Sequence, residues 1–177
     1  NCPAIVETVE KYYPHLIPNL APLVSPMIAT AMVINEMYGN EVKIVHIGPC
    51  IDSKEEANTY TEKVKTLDAI LTFDELRLLF DEFGIQEKSV SYSDFDPPFG
   101  RRGALYPLPN GLLQAGDINE SLLNGSLITA AGRDDSMMAL KQFEEHIESI
   151  NHHFNLFYCN GCISGPGMSK HGQLYRR

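Results

Sequence analysis

The sequence is poor in several things, and each scarcity narrows its function. It has no apolar run approaching the roughly 18–20 residues a transmembrane helix requires. No basic stretch leading into an apolar core opens it, so no signal peptide is expected and the expected location is the cytoplasm. Basic residues are few: 14 Lys and Arg stand against 23 Asp and Glu, a formal net charge of −9. A phosphate backbone demands a basic surface, which argues against a nucleic-acid partner, and no membrane partner is expected. No nucleophile elbow, P-loop or dinucleotide fingerprint occurs. Cysteine is scarce as well, at four. Without a secretory signal, so few thiols imply reducing conditions and metal or redox chemistry before structural disulfides. A chain of 177 residues that is 44% hydrophobic can build a core without disulfide staples.

What is there centres on those four cysteines, Cys2, Cys50, Cys159 and Cys162. Each has Pro or Gly close by: Cys2-Pro3, Gly48-Pro49-Cys50, and Cys159-Asn160-Gly161-Cys162 running into Gly165-Pro166-Gly167. Four thiolates hold one cubane iron–sulfur cluster. Proline and glycine let a backbone curl tightly around an inorganic ligand. Three other readings stand beside this one. A structural zinc site usually takes two close cysteine pairs, and only one is present. A thioredoxin-type Cys-x-x-Cys should open a helix, yet Ile163-Ser164-Gly165-Pro166-Gly167 forms helix poorly. Cysteine also serves simply as a core residue. Of six histidines, His46 lies in an apolar strand and reads as a core residue, and His152-His153 read as a solvated helix end.

Along the chain, residues 4–13 read as a helix stopped by Pro14. Pro14, Pro18, Pro22 and Pro26 recur every fourth residue and forbid a continuous helix through 14–22. Pro26 suits the first turn of a second helix, capped by Ser25 and closed by Gly39. Residues 43–47 read as a buried parallel strand that breaks at Gly48-Pro49-Cys50. A helix follows over 54–64, then a strand over 69–71. Thr72 and Glu75 form a capping box ahead of a helix whose Leu76, Leu79, Phe80 and Phe83 fall on one face. Residues 85–125 are rich in Pro and Gly, and a loop of that length is usually functional. A strand over 127–131, a helix capped by Asp134 or Asp135, and a strand over 154–158 complete the chain. Strands alternating with helices give an α/β fold with parallel sheet flanked by helices, in one lobe or two. Cys50 and Cys159 fall at the C-terminal ends of strands, where open α/β sheets place ligands.

The cysteine neighbourhoods resemble the three signature segments of the iron-only (FeFe) hydrogenases, in order and across nearly the whole chain. Asn1-Cys2-Pro3 matches the end of the family's Thr-Ser-Cys-Cys-Pro. Pro49-Cys50-Ile51-Asp52-Ser53-Lys54-Glu55-Glu56 resembles its Pro-Cys-x-x-Lys-x-x-Glu. Cys159 through Gly167 resembles its third segment, two cysteines followed by glycines, and Gly103-Ala104 and Gly111 resemble the intervening glycine-containing loop. The resemblance implies that residues 1–177 form a hydrogenase-like iron–sulfur domain, a fragment of a longer protein with the H-cluster domain's fold. It implies that Cys2, Cys50, Cys159 and Cys162 ligate a 4Fe–4S cluster.

The departures from that family are specific. Asn1 stands where the family's proton-relaying cysteine would be, and it has no useful pKa for that task. Ser53 stands where a lysine holds a cyanide of the diiron subsite, and Gly48 replaces a methionine. Cys159 and Cys162 have two residues between them where the catalytic segment has three. This pattern resembles the sensory or regulatory branch, which implies electron transfer or redox or hydrogen sensing, an anaerobic setting, and ferredoxin-like or signalling modules as partners in the same longer chain. No catalytic residue is assigned. A catalytic hydrogenase fragment and a metal-free interaction domain are the alternatives.

Overall fold

Prolines and glycines punctuate the chain into short elements. The computed structural model describes residues 2–39, 41–61, 67–118 and 127–168. In chain order they hold α1 (Pro3–Tyr12), α2 (Pro26–Tyr38), β1 (Val45–Gly48), α3 (Ser53–Thr61), β2 (Ala69–Thr72), α4 (Phe73–Glu82), α5 (Gly111–Ala115), β3 (Leu127–Ala131), α6 (Arg133–Glu145) and β4 (His153–Phe157). The chain divides into two compact units, Asn1–Ser25 with Arg101–Ile163, and Pro26–Gly100 with Ser164–Arg177. Each unit carries one two-stranded parallel sheet. Parallel strands need a crossover between them, and a helix supplies it in both.

In the first unit, β3 and β4 pair in parallel from Leu127 opposite His153 to Ala131 opposite Phe157, with α6 as the crossover. Val9, Leu16 and Leu140 form the buried centre, packed by Tyr13, Leu20, Met137, Phe143 and Leu156. Phe143 meets Phe154 edge to face at 5.2 Å. Ser136 is fully buried, and its hydroxyl donates to the Phe157 carbonyl at 2.7 Å, fastening α6 to the end of β4. The expected cap of this helix, Asp134 or Asp135, is corrected to Gly132. Its φ of 101° lets the chain turn off β3 directly into α6. Both aspartates instead lie in the first turn, where negative charge opposes the helix dipole. Residues 14–19 avoid an α-helix, as the prolines require, and wind as a 3-10 turn with Pro18 inside it.

In the second unit, β1 and β2 pair from Val45 opposite Ala69 to Gly48 opposite Thr72, crossed over by α3. The expected helix over 54–64 is described as far as Thr61; Val64 lies outside the described residues. The long stretch after α4 is not structureless. It contains 3-10 turns at Glu87–Ser89 and Arg101–Leu105 and the short α5; residues 119–126 lie outside the described residues.

The capping box of α4 forms as the sequence predicts. The Glu75 amide donates to Thr72 Oγ1 at 3.2 Å, and the Thr72 amide donates to Glu75 Oε2 at 2.7 Å. Lys54 Nζ, bonded to Glu75 Oε1 at 2.5 Å, together with the Thr72 donors holds this carboxyl down at about 2, from a usual 4.5. A carboxylate depressed in the folded state adds stability above its unfolded pKa and loses it as pH falls through the folded value. The second unit should therefore weaken between about pH 4.5 and 2. Glu75→Gln should flatten that limb in a urea-midpoint series against pH; an unchanged slope would remove Glu75 as its source.

Candidate metal centre

Cys2 is the N-cap of α1. Its carbonyl accepts from the Ile5 and Val6 amides at 3.1 Å each, which sets the first turn. The residue is 8% exposed, and its side chain makes no capping hydrogen bond. Pro3 at the first helical position fixes the entry φ.

Cys159 and Cys162 occupy the loop that leaves β4. The Gly132 amide donates to the Phe157 and Cys159 carbonyls, both at 3.1 Å, and the Gly161 amide donates back to Cys159 at 2.8 Å. Gly161 has a φ of +82°, and a Cβ there would lie 2.8 Å from both the Pro107 carbonyl and Pro109 Cδ. The Ile163 amide donates to that same Pro107 carbonyl at 3.2 Å. The turn between the Arg101–Leu105 segment and α5 thus forms the wall behind the cysteine pair. Sequence reasoning noticed the glycines of this stretch but not the role of Pro107 and Pro109, since no short-range pattern announces a wall built fifty residues upstream.

Cys50 follows β1 in the second unit. Ser53 is 4% exposed, and its hydroxyl donates to the Cys50 carbonyl at 2.7 Å. The residue standing in place of the family's lysine is therefore engaged in holding its own loop. Lys54, one position on, is bonded to Glu75 of α4. The Gly165-Pro166-Gly167 segment clasps the other side of the Cys50 loop. The Gly167 amide donates to the Pro49 carbonyl at 2.8 Å, and its carbonyl accepts from the Phe73 amide at 3.0 Å. A Cβ on Gly167 would lie 2.5 Å from Thr72 Cγ2, so only glycine fits. The ring of His46 covers Gly48, with Nε2 2.6 Å from where a Cβ would stand. His46 is half-buried, and burial lowers its pKa from the usual imidazole value. The strand expected to be buried is so only at its end: Val45 and Ile47 are exposed and His46 is of intermediate burial.

The structure thus places Cys2, Cys159 and Cys162 in one unit and Cys50 in the other, none of them in a disulfide. Among the described residues, no group of three or more His, Cys, Asp or Glu is gathered closely enough to hold a metal ion. The donor chemistry nevertheless fits an iron–sulfur cluster: the four are soft ligands on glycine- and proline-framed loops, and none is engaged in a disulfide. No described helix is long and apolar enough to cross a membrane.

The profile of one family, the iron only hydrogenase large subunit, C-terminal domain, matches residues 1–165. The chain belongs to that family. Two solved hydrogenase structures share the fold. One is HydA(deltaEFG), from a study of stepwise FeFe-hydrogenase H-cluster assembly, with a TM-score of 0.67 and 18% identity. The other is a cysteine-to-histidine variant of apo FeFe-hydrogenase HydA1 from Chlamydomonas reinhardtii, with a TM-score of 0.68 and 19% identity. Each match covers 97% of this chain and 61% of the hydrogenase chain. The cytosolic Fe-S cluster assembly factor NAR1 of Sclerotinia sclerotiorum is 30% identical over 104 residues, which is 49% of this chain and 18% of NAR1. The chain therefore spans 61% of these hydrogenase chains and 18% of NAR1, less than two thirds of each. Its α/β architecture, with short parallel sheets flanked by helices, is that of the H-cluster domain.

Proposed function

We propose that this hydrogenase-like domain binds a 4Fe–4S cluster through Cys2, Cys50, Cys159 and Cys162, and uses it for electron transfer or redox sensing without hydrogen chemistry. The observation that carries the reading is Cys2. An N-cap favours Ser, Thr, Asp or Asn, whose oxygen accepts from the first turn. A cysteine that makes no such bond serves the helix poorly, which is explained if the position is kept for its thiol. When bound, such a cluster supplies a one-electron store whose potential follows from its hydrogen bonds and burial. The chain supplies the thiolates and the glycine-framed loops that surround them. It offers no proton relay at Asn1, and the Ser53 hydroxyl is bonded to the Cys50 carbonyl.

Anaerobic reconstitution with iron and sulfide should give a brown protein with about four irons per chain and a cubane EPR signal on reduction. A folded chain that takes up no iron would overturn the reading. Infrared bands from CO and CN⁻ with hydrogen evolution, after supply of the diiron precursor, would instead identify a catalytic fragment.

The similarity to NAR1 favours a second reading, a role in iron–sulfur cluster assembly. Transfer of the reconstituted cluster to an apo-ferredoxin would support it; retention through many redox cycles would support the electron carrier.

A further inference from the structure

Unit two displays apolar side chains that it does not cover. The apolar stripe of α4 is largely uncovered: the helix buries none of its residues, Leu79 and Phe80 are 38% and 40% exposed, and Phe83 is 70% exposed. Beyond it, residues 90–99 form an arm without helix or strand that carries Tyr92, Phe95 and Phe99. Tyr92 is 90% exposed and Phe95 91%. The arm is tied to α2 near its far end. Tyr38 of α2 donates to the Pro97 carbonyl at 2.7 Å. Ahead of that tie the rings of Tyr92 and Phe95 stand in solvent, interleaved with the exposed Asp94 and Asp96, and the Tyr92 hydroxyl donates to Asp94 Oδ1 at 2.8 Å.

Charge decides what such an arm can meet. Residues 74–96 contain Asp74, Glu75, Asp81, Glu82, Glu87, Asp94 and Asp96 against Arg77 and Lys88 alone. An anionic lipid surface would be repelled. A second copy of this chain, also at −9, would bring like charges together. We infer that the arm over residues 90–99 docks a partner protein presenting an apolar cleft rimmed by lysine and arginine. Aromatic anchors would fill the cleft, while the aspartates pair with its rim and set the on-rate.

The inference does not rest on the cluster, and its test keeps the two apart. The probe is a synthetic amphipathic peptide of leucine and lysine, titrated by calorimetry against the full chain, with a leucine–glutamate peptide as control. The lysine peptide should bind with salt-dependent affinity. Tyr92→Ser with Phe95→Ser, and separately Asp94→Asn with Asp96→Asn, should each weaken binding by more than about tenfold. Glu7→Gln with Glu10→Gln, on α1 of the other unit, should leave it unchanged. The arm substitutions lie at exposed positions, so their circular dichroism and iron content should match the parent. Equal affinity across all variants, equal binding of the glutamate peptide, or arm-dependent self-association in sedimentation would each overturn the proposal.

Discussion

Gly111→Ala is expected to cost the first unit more stability than any other single methyl added to its glycines. A Cβ at Gly111 would lie 1.7 Å from the Leu105 carbonyl oxygen and 2.5 Å from its carbon. Both atoms are backbone, so no side-chain rotation relieves the clash. The Leu105 carbonyl accepts from the Leu108 amide at 3.0 Å, and displacing it opens the turn that carries Pro107 and Pro109. Those prolines face Gly161, and the Pro107 carbonyl accepts from Ile163, so the damage passes to the loop of Cys159 and Cys162. Overpacking usually costs about 1–3 kcal/mol. A backbone overlap this deep should exceed that range, against a total domain stability of about 5–15 kcal/mol. Gly103→Ala is the matched control: nothing lies within 4 Å of its Cβ, and its φ is not in the left-handed region. Its urea midpoint should match or slightly exceed the parent's. Equal midpoints for the two variants would refute the account of the turn.

The elements most legible in the sequence were those specified by neighbours within a few residues. The Thr72–Glu75 capping box, the helix opened by Pro26 and the strand ends at Cys50 and Cys159 all depend on local chemistry. The strand expected over 43–47 starts two residues later, at Val45, because the chain before it serves a different bond. The Ile44 amide donates to Asp68 Oδ2 at 2.9 Å rather than to a strand partner. Burial was less legible. Leu79, Phe80 and Phe83 recur as a core face would, but periodicity tells only that a face exists, not what covers it. The candidate site was legible as composition, four cysteines in glycine–proline frames, because thiol chemistry is written in residue type. Its supports were not. That Gly167 clasps Pro49, or that Pro107 backs Gly161, depends on contacts made across more than fifty positions.

Cys2→Ser should separate what the fold needs from what the metal needs. Serine is a strong N-cap, and its hydroxyl can accept from the amides of the first turn of α1, where the thiol makes no such bond. The gain from a cap is about 1 kcal/mol, so the urea midpoint of the variant should equal or exceed that of the parent. Cysteine and serine are similar in size, so the 8%-exposed site should accommodate the change without a cavity. Iron binding should move the opposite way. A hydroxyl is hard and protonated at neutral pH, whereas a cubane cluster takes soft thiolates, so iron after anaerobic reconstitution should fall from about four per chain to below one. Cys2→Ala should lose iron equally and show no gain in stability, because it lacks the capping oxygen. A stabilised chain that cannot hold iron would mean that Cys2 occupies the start of α1 for its sulfur, at the helix's expense. Full iron retention in both variants would remove Cys2 from the ligand set, leaving Cys50, Cys159 and Cys162 to find a fourth ligand elsewhere.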